Sequence, residues 1–313
     1  MRSLIISNSQ GNKKVERVIR DAFPNMPASA MYKAFRKKDI KVNGSRVKED
    51  HMVLPGDKLE IYITDNILDG VPADTDGSLV TGFSIVYEDK NILIVNKAQG
   101  VPVHPDKDAP VNTLIDQVKT YLESKEEYNP HNRYSFPPSL CHRLDRNTGG
   151  LIIIAKNEES LKVILDKIKK REIKKYYQCL VKGKPENNRA ELRAYLFKDE
   201  RKSRVYIADK PAKDYLEIVT RYKVLSCQNE TSLLEVELVT GRTHQIRAHL
   251  AHIGHPVVGD GKYGPNSFNR SMGARFQALW AYKLVFDFKD GGILNYLKGR
   301  KFEVKPEFKI KEK

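Results

Sequence analysis

Asp145 stands where a polar turn meets one of the least polar runs of the chain: Cys141 to Lys156 reads CHRLDRNTGGLIIIAK. A carboxylate with a reference pKa of about 3.9 is ionised at neutral pH and can serve as nucleophile or base. Gly149 and Gly150 permit a tight turn with positive φ. Leu151-Ile152-Ile153-Ile154-Ala155 is short, apolar and β-branched, and predicts a strand buried on both faces. A charge set just before such a strand needs a partner or a use, since burying it alone is expensive. Taken by itself the DRNTGG tract also suits an aspartate in a surface Asx turn.

Other clusters offer weaker chemistry. His244, His249, His252 and His255 suggest a metal, but no paired carboxylate or cysteine stands at ligand spacing, and HxxH without HExxH is a poor signal. No metal is therefore expected. Gly259 to Gly264, GDGKYG, satisfies GxGxxG literally, yet Pro265 follows where a phosphate-cradling helix should open. Cys141 beside His142 does not make a nucleophile and base, because neighbours on an extended segment point to opposite faces. Cys141, Cys179 and Cys227 are odd in number and never form a CxxC pair, which argues against a disulfide framework.

The formal charge of +15, from 55 Lys and Arg against 40 Asp and Glu, points to a polyanionic partner, nucleic acid before an anionic membrane. With 313 residues and 40% hydrophobic composition the chain can bury the cores of two domains. No apolar run approaches the roughly 20 residues of a membrane span, and Met1 to Gln10 lacks a signal peptide's apolar core. A cytoplasmic protein with no membrane partner is expected, and a monomer.

Spacing of apolar residues predicts a helix over Val15 to Phe23 and a second, capped by Ser29, through Met31, Ala34 and Phe35. Asn43-Gly44 after Ile40-Lys41-Val42 signals a hairpin, and Leu59, Ile61 and Ile63 alternate with polar positions. Lys33, Arg36, Lys37, Lys38, Lys41, Arg46 and Lys48 gather here against Asp39 alone, either a solvated face or a nucleic-acid surface. Residues 65–80 hold four aspartates, two glycines and a proline without Lys or Arg, and read as a flexible linker. Beyond it, strands are predicted at Phe83 to Tyr87 and Ile92 to Asn96, then a helix capped by Asn112 or Thr113, and a long polar loop from Glu126 to Ser139. A helix from Asn157 or Ser160, a strand from Lys175 to Val181, a half-exposed strand from Leu233 to Thr240 and a helix bearing Ile246, Leu250 and Ile253 complete the order. Arg242 thereby stands at a helix N-terminus, a place favourable for anions.

The Asp145 segment resembles the pattern HRLDxxTSGLLLxAK of the RluA-type RNA pseudouridine synthases, with Gly149 where the family usually has Ser. Asn96 to Pro105, NKAQGVPVHP, resembles NKPxGxxVHP, with Ala98 for Pro. KKYYQCLVKG resembles a KxYxAxVxG strand, and GRTHQIRAHLAHIGHPVVGD is similar to a second long family segment. Ala278 to Phe286 matches more weakly, with Trp280 where the family often carries His. The resemblance spans about 81 to 290, besides an N-terminal part that looks like a small RNA-binding module of a ribosomal protein. It implies an α+β fold: residues 1–64 as a helix-helix-sheet RNA-binding module, 65–80 as linker, and 81–313 as a mixed, mainly antiparallel catalytic domain. It implies isomerisation of uridine to pseudouridine in structured RNA, without cofactor, with Asp145 attacking C1′ or acting as base at C2′. Tyr176 is the residue expected to line the base pocket, Arg242 to pair with Asp145, and His142 and Arg143 to serve the RNA or the loop. Large-subunit ribosomal RNA is favoured over transfer RNA. A non-catalytic RNA-binding assembly factor and a metal hydrolase are the alternatives from other classes.

Overall fold

The computed structural model describes residues 2–8, 10–24, 26, 28–63, 82–105 and 112–308, apart from the side chains of 28–30 and 33. The expected linker lies outside the described residues. Backbone contacts divide the chain into two units, the first within residues 1–81 and the second formed by Gly82–Pro105 and the chain from Asn112 onward.

In the first unit, β1 (Arg2–Ile5), β2 (Lys13–Lys14), α1 (Val15–Ala22), α2 (Ala28–Lys37), β3 (Ile40–Val42), β4 (Ser45–Arg46), β5 (Met52–Val53) and β6 (Lys58–Ile61) follow one another. The longer sheet has the order β1-β6-β3-β4, and β2 pairs with β5. Val15, Val18 and Ile19 of α1 and Met31, Ala34 and Phe35 of α2 close over Ile40, Val42, Leu59 and Ile61 of the sheet. The β3-β4 turn is made by Asn43 and Gly44, both with positive φ (50° and 79°), as a two-residue hairpin requires.

The second unit is built on one 11-stranded sheet. Its elements are β7 (Phe83–Glu88), β8 (Ile92–Lys97), α3 (Leu114–Ser124), β9 (Ser139–Leu140), β10 (Gly149–Ala155), α4 (Glu158–Lys169), β11 (Ile173–Lys182), β12 (Arg189–Asp199), β13 (Arg204–Ala208), β14 (Leu216–Gln228), β15 (Thr231–Leu238), α5 (Gln245–His252), α6 (Asn266–Ser271), β16 (Leu279–Phe286), a 3-10 turn at Gly292–Leu297 and β17 (Lys301–Glu303). The main path runs β13-β12-β14-β15-β11-β16-β10-β8-β7, with β17 on β16 and β9 on β10. Only β10 against β16 is parallel among the strand pairs described.

β10 is buried along its whole length. Ile152 and Ile154 join the core under α3 and α5, with Leu114, Val118, Ile246 and Leu250. Leu151, Ile153 and Ala155 join the opposite core with Ile164 of α4 and Leu294 and Leu297 of the 3-10 turn. A strand covered on both faces can afford no polar position, which is why its sequence is uninterrupted apolar. Thr113 begins α3 with a capping box to Asp116, and the Asn157 side chain accepts from the Ser160 amide at the start of α4. One expectation is corrected here: a helix does open after GDGKYG, since α6 begins at Asn266 with Pro265 at its N-cap. Its glycines serve the local fold, with the Gly259 amide donating to Asn269 Oδ1 at 2.8 Å. Among the described residues no helix is long and apolar enough to cross a membrane.

Candidate active site

Past β9 the chain stays beside β10, with the Cys141 amide donating to the Ile153 carbonyl at 2.9 Å. The chain then turns: the Thr148 amide donates to the Asp145 carbonyl at 3.0 Å, and β10 leaves the turn at Gly149. Gly150 has φ of +116°, and a Cβ there would lie 2.2 Å from the Ala281 carbonyl oxygen of the parallel neighbour β16. No other residue fits such a close backbone approach. The turn is fastened from below by Lys97, fully buried, whose amine donates to the carbonyls of Ala98 (2.9 Å), Val101 (2.9 Å) and Arg146 (3.0 Å). Burial pulls this amine down to about 7, with the charge of Asp145 opposing the shift.

Asp145 emerges from the turn into a pocket of about 510 Å³. Its side chain is 26% exposed and forms part of the pocket wall. Its cationic partner is Arg247, in the first turn of α5, with Nη1 2.7 Å from Asp145 Oδ2. The same guanidinium grips Asp260 through Nε at 2.6 Å and Nη2 at 2.9 Å. Asp260 is fully buried, and accepts from the Lys262 and Tyr263 amides besides. Burial alone would lower the Arg247 pKa and raise that of Asp260; their hydrogen bonds and opposite charges reverse both, so the pair stays ionised.

Arg242 does not make the expected ion pair. It is exposed on the rim of the same pocket, and its backbone amide donates to Gln245 Oε1 at 3.1 Å. The helix begins at Gln245 rather than beside Arg242, which carries Arg247 inward and leaves Arg242 outside. Tyr176 is likewise displaced. Strand alternation sets it opposite Glu237 and beneath the Lys283 amine, 4.5 Å from its ring centroid, lining a separate groove. The tyrosine on the Asp145 pocket is Tyr177, 4% exposed, whose pKa is raised by burial and then by the charge of Asp145. Its hydroxyl is a proton-bearing donor at neutral pH. The KxYxAxVxG pattern set residue by residue from Lys175 also puts its tyrosine at Tyr177.

His142 belongs to the loop. Its Nε2 accepts from the Ile153 amide at 3.2 Å, and burial drives its pKa down to about 3, keeping it neutral. Arg143 is exposed on the pocket wall. With Arg171, Lys174, Lys175, Arg221, Arg242 and Arg247 it makes the lining strongly basic against the carboxylates of Asp145 and Glu237. In the first unit Arg36, Lys37 and Lys38 are exposed, and Lys41 and Arg46 face each other across β3 and β4. The side chain of Lys33 lies outside the described residues. The four histidines reach separate partners: His244 to Tyr263, His249 to Thr220, His252 to Asp209 and His255 to the Lys182 carbonyl.

A family model described as RNA pseudouridylate synthase matches residues 91–252. The chain is 31% identical over 271 residues to the ribosomal large subunit pseudouridine synthase C of Vibrio cholerae serotype O1, covering 84% of this chain and 81% of that protein. It is 28% identical over 284 residues to the uncharacterized RNA pseudouridine synthase YlyB of Bacillus subtilis, covering 90% and 88%. Among solved structures, human RNA pseudouridylate synthase domain containing 1 superposes with a TM-score of 0.53 at 27% identity, covering 69% of this chain and 82% of that one. Human RNA pseudouridylate synthase domain containing 4, at 21% identity and a TM-score of 0.56, shares the fold over 71% and 88%.

Proposed function

Because the chain belongs to the RNA pseudouridylate synthase family, we propose that Asp145 is its catalytic carboxylate, Arg247 the cation that holds it, Tyr177 the wall of the base pocket, and large-subunit ribosomal RNA its substrate. The observation that carries the reading is the Asp145–Arg247–Asp260 chain, in which a partly exposed carboxylate is fixed at the wall of a basic pocket by a guanidinium locked to a buried one. The reaction breaks the N1–C1′ bond, turns the base, joins C5 to C1′, releases the C5 proton and leaves a proton on N1, so the product is an isomer and nothing is oxidised or reduced. Asp145, ionised, has an electron pair either for C1′ or for a proton at C2′. Arg247 keeps that pair oriented, and the Tyr177 ring offers a flat surface to the base while its O–H remains protonated.

The uridine must leave its stack to reach Asp145, at a cost of a few kcal/mol. Phosphate contacts along the basic rim offset it. The ribosomal substrate is supported by the names of the relatives and by the separate basic unit at the N-terminus, which suits a large folded RNA.

Pseudouridine mapping across cellular RNA, in cells with the protein, without it, and with Asp145→Asn in its place, tests the reading. The expected result is loss of the same positions in large-subunit ribosomal RNA in the last two, with the RNA affinity of the purified variant nearly intact. Full modification with Asp145→Asn would refute the assignment of the carboxylate, and positions confined to transfer RNA would refute the substrate.

A further inference from the structure

His244 is not needed to hold Asp145, yet the fold maintains it beside that carboxylate in an unfavourable conformation. It occupies the N-cap of α5 with φ 54° and ψ 14°, a left-handed position uncommon for a residue with a side chain. The turn before it is pinned by Gln245, whose Oε1 accepts from Thr240 Oγ1 (2.9 Å) and the Arg242 amide (3.1 Å). Gln245 Nε2 donates to the Val219 carbonyl and Thr220 Oγ1, both at 3.0 Å. With that scaffold the imidazole lies edge-on to Tyr263, centroids 5.7 Å apart, and its Nδ1 is 2.9 Å from the Tyr263 hydroxyl.

The Tyr263 hydroxyl favours one tautomer, the one in which its own hydrogen is used. Tyr263 Oη already accepts the Val205 amide at 3.0 Å, so its own hydrogen goes to His244 Nδ1, its acceptor among the described residues. The imidazole hydrogen is then on Nε2. Burial lowers the pKa of His244 to about 4, Asp145 opposing and Arg247 and Lys262 reinforcing the shift, so the ring is neutral near pH 7. Nε2 is 3.9 Å from Asp145 Oδ2, too far for a direct hydrogen bond. The site therefore presents one N–H donor and one carboxylate acceptor with a gap between them.

We propose that His244 and Asp145 together bind the 2′-hydroxyl of the target nucleotide, the hydroxyl donating to Asp145 Oδ2 and accepting from His244 Nε2–H, so that His244 is the residue by which the pocket selects ribose over deoxyribose. A hydroxyl is the group that gives one hydrogen and takes another. On the sugar of an RNA chain the 3′ and 5′ oxygens are esterified and the ring oxygen has no hydrogen, so the 2′-hydroxyl is the one sugar group that both donates and accepts. The proposal rests on the reading of the pocket as the uridine site.

Two synthetic RNA hairpins test it, carrying pseudouridine or 2′-deoxypseudouridine at the position mapped in vivo; as products, neither reacts during an equilibrium titration. Wild-type protein should bind the ribose form about a hundredfold more tightly, the worth of the two buried hydrogen bonds the hydroxyl makes. His244→Phe, which leaves the hydroxyl only its bond to Asp145, should cut the preference about tenfold, while His244→Gln, which keeps an N–H at similar reach, should fall between the two. Because the preference is a ratio measured within one protein, general damage to the pocket lowers both affinities and leaves it unmoved. A preference in His244→Phe undiminished from that of the wild type, or none in the wild type, overturns the role of His244. Absence of any RNA modification by the wild-type protein would instead overturn the pocket reading itself.

Discussion

Arg247 binds two carboxylates at once, and a planar fork is what makes that possible. Arg247→Lys keeps one charge but cannot serve Asp145 and Asp260 together, so pseudouridine formation under single-turnover conditions should fall by about a hundredfold, as positional errors at a reacting group do. Arg242→Lys, altering a rim residue, should instead weaken RNA binding slightly and leave the single-turnover rate near that of the wild type; a large loss of rate would return the ion-pairing role to Arg242. Tyr177→Phe keeps the ring and loses the hydroxyl: a near-normal rate excludes proton transfer by that group. Asp145 was legible because its motif is long and one acid stands in it. The choice between Arg242 and Arg247 was not, since both lie in GRTHQIR and the answer depends on where the helix begins. Tyr177 had a visible signal: Ile173, Cys179 and Val181 mark the odd positions of β11 as the core-facing side, and Tyr177 shares it.

At the scale of elements, two of the three departures from the family pattern that the sequence showed, Gly149 and Trp280, meet across the parallel β10-β16 pair, where they are register partners. A Cβ at 149 would come within 2.5 Å of the Trp280 ring, while the indole N–H reaches Asn96 Oδ1 at 3.3 Å. The large ring thus fills the space that a serine side chain would need. Gly149→Ser should destabilise the second unit by about 1–3 kcal/mol through overpacking, and Trp280→His should by itself leave a cavity. The double variant should recover stability relative to the sum of the two, with a coupling of about 1 kcal/mol or more in a denaturation cycle; strict additivity would show that the ring moves aside freely. The apolar run of β10 and the caps of α3 and α4 could be read directly from sequence. β12 and β14 could not, because their exposed positions interleave charges such as Arg193, Glu217 and Arg221 that pair across the two strands, so the pattern becomes intelligible only after the strands are paired.

Two predictions belong to the whole molecule. His142, His244 and His249 are held neutral by burial, with pKa values pushed from 6.5 to about 3, about 4 and about 4. A base depressed on folding contributes nothing above its unfolded pKa; below it the unfolded chain takes up protons that the folded one refuses, so stability falls with falling pH. The denaturation midpoint of the second unit should therefore decline from pH 6.5 towards pH 4, and a triple variant with uncharged replacements should decline less steeply over that window. The other concerns residues 1–64, which carry 13 Lys and Arg against 7 Asp and Glu and whose described part has a core of its own. Lys41 and Arg46 are brought onto one side of a hairpin, with Arg36, Lys37 and Lys38 exposed at the end of α2, a concentration of charge made by the fold and not only by composition. If this unit contacts RNA, tethering makes the second contact intramolecular, and deleting residues 1–64 should weaken binding to a long folded RNA by about 10²-fold. A short hairpin that occupies the Asp145 pocket alone should be bound almost equally by both proteins. Each phosphate contact also releases counterions, so the full-length chain should lose affinity more steeply as salt rises than the truncated one. Titrations of both proteins at several salt concentrations decide the matter: equal affinities and equal slopes on the long RNA would mean that the basic face of the first unit is merely solvated.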